Sequence, residues 1–163
     1  MNTITPQPSF FRQLQQLTLL IITSFIFSTA SYADNIQVQH PRITPTIEGI
    51  AVTAVYFDIL NRGDNAIKLV NVTGEISGRI EIHHHTMVNG LMKMQKVSEG
   101  IELPVQETVA FKPGGYHIMV MNLQKAINKG DFVDLILHFD NGSSLTISAM
   151  AIKTSTHQHH SHN

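Results

Sequence analysis

Histidine and methionine side chains are concentrated in two short stretches of this 163-residue chain. The first, EIHHHTMVNGLMKM over residues 81–94, has three consecutive histidines and then methionines on both sides of an Asn-Gly dipeptide. The second, KPGGYHIMVMNL over residues 112–123, has one histidine followed by two methionines at alternating positions. Imidazole nitrogen binds many metals, whereas thioether sulfur selects soft ions such as Cu(I) over zinc or hard cations. Both stretches therefore indicate binding of a soft metal ion.

The Asn-Gly dipeptide at residues 89–90 predicts a two-residue type I′ hairpin turn, because both residues tolerate the positive φ that this turn requires. Such a turn would set Met87 opposite Met92 and His85 opposite Met94. The hairpin would therefore bring soft donors from two strands together without help from the rest of the fold.

Period-two alternation of the two strands determines which donors share a face. The donors on one face would be His83, His85, Met87, Met92 and Met94. His84 would point to the other face. The turn does not choose between His83 and His85 as a ligand, because both share the face of Met94.

In the second stretch, His117, Met119 and Met121 lie on one face of a predicted strand. His117 and Met119 would point in the same direction, about 6–7 Å apart along the backbone. Two such patches meeting at one end of a β-sandwich would form a His/Met site. Methionine at alternating strand positions also serves as core filling. However, five of the six methionines after residue 33 fall between residues 87 and 121, beside four histidines, which favours copper.

The N-terminal segment indicates export. The run from Leu17 to Phe27 is apolar and uncharged, and it is followed by STASYA, with small residues at 31 and 33. The run is about half the roughly 20 residues that a membrane span needs. The pattern predicts a signal peptide over residues 1–33, cleaved before Asp34, and a protein that works in the periplasm or outside the cell. An uncleaved N-terminal anchor is the alternative.

Composition excludes several classes of protein. This sequence has no cysteine, so disulfides, thiolate zinc sites, catalytic thiols and lipid attachment through cysteine are excluded. The net charge is −1 and only 14% of residues are charged, so no basic surface for nucleic acid is expected. No membrane span is expected in the mature chain. Thioether ligands, unlike thiols, also form no disulfides in an oxidising compartment.

Residues 34–153 are predicted to form one β-domain, because short β-branched and aromatic runs alternate with turn sequences such as NRGDN, KPGG and NKGD. The predicted strands are Ala51–Leu60, Ala66–Thr73, Arg79–Val88, Leu91–Val97, Glu107–Phe111, Tyr116–Asn122, Phe132–Phe139 and Leu145–Ile152. Strands at this spacing are typical of an antiparallel sandwich or barrel.

A second Asn-Gly dipeptide, at residues 141–142, follows the alternating strand FVDLILHFD. The apolar residues on one face of this strand are Val133, Leu135, Leu137 and Phe139. A two-residue turn would set Phe139 opposite Ser144 and mismatch the apolar faces. A loop of three or five residues is therefore predicted here.

The last ten residues, 154–163, form a separate segment without apolar periodicity. Four histidines lie within it: His157, His159, His160 and His162. This composition predicts a flexible tail that captures metal.

The motifs resemble the periplasmic copper chaperones of the PCu(A)C family. That family has a histidine, ten intervening residues, a methionine, a spacer of just over twenty residues, and then His-x-Met. Here His83 is separated by ten residues from Met94, and twenty-two residues separate Met94 from His117. The flanking sequences IEIH, NGLMKM and KPGGYHIMVMNL are also similar, and weaker similarity extends over residues 40 to 152.

The resemblance implies a cupredoxin-like Greek-key β-sandwich of about eight to nine strands that binds Cu(I). Its implied ligands are His83, Met94, His117 and Met119. His84 and His85 depart from the acidic or hydroxyl residues usual in the family, so His85 is a candidate secondary ligand. Met92 and Met121 match apolar positions and are expected to pack beside the site.

For function, the resemblance implies delivery of Cu(I) by ligand exchange to a copper-acceptor protein, either a cytochrome oxidase subunit or its assembly factor. His-rich C-terminal extensions in the family are thought to hold a second copper, often Cu(II), as residues 157–162 could here. The chain is expected to be a monomer and not an enzyme.

Two other classes of function are the alternatives. A secreted zinc hydrolase would use the histidines, but the sequence lacks His-Glu-x-x-His and places no carboxylate as a general base, although Glu81 shares the face of His83. A secreted copper-sequestering or structural β-domain would owe its metal binding to the tail alone.

Overall fold

The computed structural model describes residues 35–153. The regular secondary structure of this range consists of β-strands. The strands are β1 (Ile36–Ile43), β2 (Val52–Asn61), β3 (Ile67–Thr73), β4 (Arg79–Val88), β5 (Leu91–Lys96), β6 (Ile101–Leu103), β7 (Thr108–Phe111), β8 (Tyr116–Met121), β9 (Phe132–Phe139) and β10 (Ser144–Ala151). The predicted signal peptide and the His-rich tail lie outside the described residues. Residues 35–153 contain no helix of the length and hydrophobicity that crossing a membrane requires.

All eight predicted strands are present, each with ends within one residue of the prediction. The all-β class is confirmed, but ten strands replace the expected eight to nine. The additional strands are β1 and β6. His40 has φ of 52° within β1, and the pairing of β1 with β2 shifts register between Gln39 and Arg42. This bulge interrupts the alternation by which a strand is recognised in sequence, and β6 has only three residues.

The ten strands form one continuous hydrogen-bonded sheet in the order β5-β4-β8-β7-β2-β1-β10-β9-β3-β6, with β8 also pairing with β2. The pairs β1–β10 and β7–β8 are parallel. Apolar side chains from both ends of this order enter a single core cluster, which includes Ile82 of β4 and Leu69 of β3. The sheet therefore folds over its own apolar face.

Burial differs strongly along the strand order. In β9 every second residue is buried: Val133, Leu135, Leu137 and Phe139. At the other end, all six residues of the edge strand β5 are exposed, and Ile82 is the one buried residue of β4. The end formed by β5, β4 and β8 thus presents side chains that the core does not use.

Candidate metal centre

The β4–β5 hairpin has the predicted turn and register. Asn89 and Gly90 have φ of 52° and 78°, as a type I′ turn requires. Met87 pairs with Met92, and His85 pairs with Met94. The turn therefore brings imidazole and thioether groups of the two strands onto one face.

Strand β8 lies on the other side of β4 and completes this face. His83 pairs directly with His117, and Glu81 pairs with Met119. Side chains of directly opposed residues point to the same side of a sheet. The four predicted ligands, His83, Met94, His117 and Met119, therefore share one face of three adjacent strands, and His85 shares it with them.

His117 is the most buried polar residue of this face, with 2% of its surface exposed. Its Nδ1–H donates to the Gly115 carbonyl oxygen at 3.0 Å. Since a carbonyl only accepts, this hydrogen bond fixes the proton of the neutral ring on Nδ1. Nε2 then carries a lone pair, and this atom lies 3.2 Å from the Met94 sulfur. Two electron-pair donors thus face each other.

Burial lowers the pKa of His117 below the ordinary 6.5, and the hydrogen bond to Gly115 only partly opposes this effect. The neighbouring imidazoles of His85, His83 and His84 lower the pKa further. The ring is therefore neutral at neutral pH, which is the form that binds a metal. At their separation of 3.2 Å, His117 Nε2 and the Met94 sulfur could both contact one ion.

Two more imidazoles lie beside His117. The ring centroid of His85 is 4.8 Å from that of His117 in a stacked arrangement, and the centroid of His83 is 6.0 Å away. The Nδ1 atoms of His83 and His85 are buried without a hydrogen-bond partner. Buried polar atoms normally have a partner. A bound metal ion would be a suitable partner for both nitrogens. Both histidines that the sequence left as alternatives therefore lie at the site.

Glu81 orients His83. The Nε2–H of His83 donates to Glu81 Oε2 at 2.9 Å, and Glu81 Oε1 lies 3.0 Å from Lys96 Nζ and 3.3 Å from Arg79 Nε. The hydrogen bond from His83, then that from Lys96, and the charges of Lys96 and Arg79 lower the pKa of Glu81 to about 2. A carboxylate that holds a ligating imidazole in this way fixes its orientation and the nitrogen it offers. Alternation had placed Glu81 on this face, but sequence alone did not indicate its contact with His83.

The remaining methionines differ in burial. Met119 and Met121 are half-buried on β8, and Met119 lies level with Glu81. Met92 was expected to pack beside the site, but 59% of its surface is exposed. Met92 thus lies on the face of the site but is little packed, because every residue of the edge strand β5 is exposed. His84 points to the other face, as predicted, and its ring stacks on Tyr116 at 4.2 Å.

No three histidine, aspartate or glutamate side chains within residues 35–153 are grouped closely enough to hold a metal ion. A site on this face with three or more ligands therefore needs a methionine sulfur as well. Thioether donors suit Cu(I) and compete poorly for zinc. The donors on this face, imidazole and thioether, thus suit a soft metal ion.

Comparison with known sequences gives one family and two relatives. A family model for LpqE-like lipoproteins matches residues 36–151. The chain is 28% identical over 116 residues to Lxx21020 of Leifsonia xyli subsp. xyli, which is named as a lipoprotein; the match covers 71% of this chain and 69% of that protein. It is 31% identical over 108 residues to the uncharacterized protein RP573 of Rickettsia prowazekii (strain Madrid E), covering 66% and 60%.

Three solved structures share the fold. The apo PCuAC domain from PmoF1 matches with a TM-score of 0.61 and 24% identity over 74% of this chain and 95% of that domain. The copper-bound PCuAC domain from PmoF2 gives 0.61 and 22% over 74% and 94%. The solution structure of CuI-DR1885 from Deinococcus radiodurans gives 0.54 and 24% over 77% and 85%. These likenesses confirm the predicted cupredoxin-like β-sandwich.

Proposed function

Because the chain belongs to the LpqE-like family and has the fold of PCuAC domains, we propose that it is a Cu(I)-binding chaperone rather than an enzyme. The observation that carries the proposal is the 3.2 Å approach of His117 Nε2 to the Met94 sulfur. Because the ring proton of His117 is on Nδ1, where it is donated to Gly115, Nε2 has no proton. The thioether sulfur has none either, so no hydrogen bond joins the two atoms. A soft cation bound to both atoms accounts for this arrangement.

The proposed ligands are His83, Met94, His117 and Met119, and His85 is a further ligand available for exchange. All are neutral in the binding form, and a thioether has no proton to lose, so it keeps its affinity in acid. The copper-bound domain of PmoF2 and CuI-DR1885 support copper as the metal for this fold.

Exposure of Met94 gives the proposed chaperone a way to release its cargo. Met94 lies on an edge strand with 48% of its surface exposed, whereas His117 is buried. An acceptor's ligand can therefore approach the ion from the Met94 side while His117 still holds it. Transfer by exchange of ligands, one at a time, follows from this one-sided burial.

We propose that the acceptor is a cytochrome oxidase copper centre or its assembly factor, and that the chaperone acts as a monomer in the periplasm. The signal-peptide pattern over residues 1–33 and the lipoprotein name of the Leifsonia xyli relative support export.

The tail would hold a second copper as Cu(II), since imidazoles suit that ion. Replacing its four histidines by glutamine is expected to lower Cu(II) capacity and to leave Cu(I) affinity unchanged.

X-ray absorption at the copper edge tests the proposal directly. The protein would be the chain in which His157, His159, His160 and His162 are replaced by glutamine, loaded with one Cu(I). Sulfur scattering at thioether distance together with imidazole scattering is expected. Scattering from nitrogen alone, or copper that is lost on washing, would favour a secreted structural β-domain whose tail sequesters metal.

A further inference from the structure

The tip of the β4–β5 hairpin exposes apolar side chains that the core does not use. On the site face the exposed fractions are 65% for Met87, 59% for Met92 and 48% for Met94. Isolated exposed apolar residues are common on protein surfaces, but several adjacent ones mark a surface that binds something. Core filling, the usual reason for methionine in a strand, does not apply to Met87 and Met92.

The two tip methionines face each other across the hairpin. Met87 pairs with Met92, one step from the two-residue turn. In such a hairpin the pair that flanks the turn is hydrogen-bonded and the next is not, and side chains of a non-hydrogen-bonded pair lie closer together. Directly opposed Cβ atoms are about 4.5–5.5 Å apart. Because methionine has three rotatable bonds, both sulfur atoms can reach one ion between them.

The methionine pair is also continuous with the site below it. Met87 and Met92 lie two residues beyond His85 and Met94 on the same face, a step of about 7 Å along each strand. The Met94 sulfur in turn touches His117 Nε2 at 3.2 Å. Soft donors therefore extend in a row from the exposed turn to the buried imidazole. Lys93 pairs with Thr86 and so points to the opposite face.

We propose that Met87 and Met92 form a second, solvent-exposed Cu(I) site at the hairpin tip. This site captures the ion and passes it to Met94 and then to His117, and release follows the same path in reverse. The inference rests on the proposed function and adds a route to the same site. With two uncharged sulfur ligands and open access, the tip site is the weaker of the two and exchanges its ion faster.

Methionine-methyl NMR on the full chain tests the site itself, with Ag(I) as a redox-inert substitute for Cu(I). The first equivalent is expected to shift the methyl signals of Met94 and Met119. Further Ag(I) is expected to shift those of Met87 and Met92 together, while Met150, 39% exposed on β10, stays unchanged. The His-rich tail contains no methionine, so Ag(I) bound there adds no methyl signal of its own.

Two results of the titration would overturn the inference. If Met94 and Met119 shift but Met87 and Met92 do not at any excess of Ag(I), the tip holds no metal, and the primary site stands. If no methionine methyl shifts, the proposed Cu(I) function fails together with the tip site.

A kinetic experiment separates metal capture from protein docking at the same surface. The double variant Met87→Leu/Met92→Leu keeps volume and apolar character and removes only sulfur. Uptake of Cu(I) from a chromophoric chelator should slow about tenfold, within the range over which association rates vary among variants of one surface. Affinity at equilibrium should change less than about twofold, because the primary ligands remain.

Met150→Leu is the matched control, since it removes an exposed sulfur far from the hairpin in the strand order. Its uptake rate should equal that of the unaltered chain. An unchanged rate in the double variant would overturn the capture route and would leave the exposed tip as an apolar surface for docking a protein.

Discussion

The chain has two Asn-Gly dipeptides, each following a long strand, and the two hairpins form differently. Asn89 and Gly90 both have positive φ and make a two-residue turn between β4 and β5. At residues 141–142 only the glycine has positive φ, of 82°, and Phe139 N–H donates to the Ser143 carbonyl at 3.0 Å. The loop between β9 and β10 thus has three residues, which is one of the two lengths predicted.

Burial explains the difference. The longer loop pairs Leu137 with Leu145 and Leu135 with Ile147, so apolar side chains of β9 and β10 enter the core together. A register shift of one residue would turn these side chains to solvent. The β4–β5 hairpin buries only Ile82 of β4 and nothing of β5, so the preference of Asn-Gly for a type I′ turn decides its register.

We therefore expect the two hairpins to have different roles, one in stability and one in the proposed metal binding. Side chains of β9 and β10 close the core, whereas those of β4 and β5 on the site face are available to a metal. Substitutions in the β9–β10 hairpin should unfold the protein without changing the chemistry of the site. Substitutions in the β4–β5 hairpin should weaken copper binding in a protein that stays folded.

The largest effect is expected for Leu135→Ala in β9. Leu135 has no exposed surface, and truncating a buried leucine to alanine costs about 2–5 kcal/mol of the free energy of unfolding. Denaturation in urea, followed by circular dichroism, measures this loss. Cu(I) affinity of the folded protein should be unchanged. A fall in affinity in the folded state would show that the core and the site are coupled.

The next largest effect is expected for His117→Gln. This substitution removes the buried imidazole that faces the Met94 sulfur. Loss of an outer partner of a metal ligand already costs about 10–100-fold in affinity, so loss of the ligand itself should cost at least about 100-fold. Competition with a chromophoric Cu(I) chelator measures the affinity.

His138→Gln is the matched control for His117→Gln. His138 lies on β9 and contacts the Thr73 hydroxyl through Nε2 at 2.8 Å, away from the proposed ligands in the strand order. Its Cu(I) affinity should equal that of the unaltered chain. Equal losses of Cu(I) affinity in the two variants would indicate a general effect on the fold. The expected difference between the two hairpins would then be wrong.

Met94→Leu should have a smaller effect on affinity and almost none on the fold. Met94 is 48% exposed, and leucine conserves its volume, so the free energy of unfolding should fall by less than about 1.5 kcal/mol. Cu(I) affinity should fall about tenfold, less than in His117→Gln and no more than for loss of an outer partner, because His85 pairs with Met94 and is available to take its place as a ligand. Met150→Leu controls for loss of an exposed sulfur. A large loss of stability in Met94→Leu alone would make this residue part of the core.

Sequence reasoning succeeded where one local rule decides the structure. Alternation gave eight strands to within one residue, and the Asn89-Gly90 turn gave the pairing of His85 with Met94. It failed for β1, because the bulge near His40 interrupts the pattern, and for β6, which is too short to alternate.

The position of β8 next to β4 could not be derived from local rules. The pairing of β4 with β8 joins residues far apart in the sequence. Only the resemblance to the PCu(A)C family, which implied a shared ligand set of His83, Met94 and His117, brought the two stretches together. The choice between His83 and His85 was likewise beyond period-two alternation, which repeats every second residue and so treats them alike. Side-chain contacts separate them: Glu81 orients His83, and His85 stacks on His117.

The smallest effect concerns acid and the carboxylate that orients His83. The folded-state pKa of Glu81 is lowered from 4.5 to about 2. The depressed pKa means that this group stabilises the fold fully above about pH 4.5, and that the contribution is lost as pH falls toward about 2. Glu81→Gln should therefore lower the free energy of unfolding at pH 6, and the difference from the unaltered chain should shrink between pH 4.5 and 2. Urea unfolding of both metal-free proteins across this range measures it. A difference that stays constant with pH would mean that the charge of Glu81 is not what stabilises this end of the sheet.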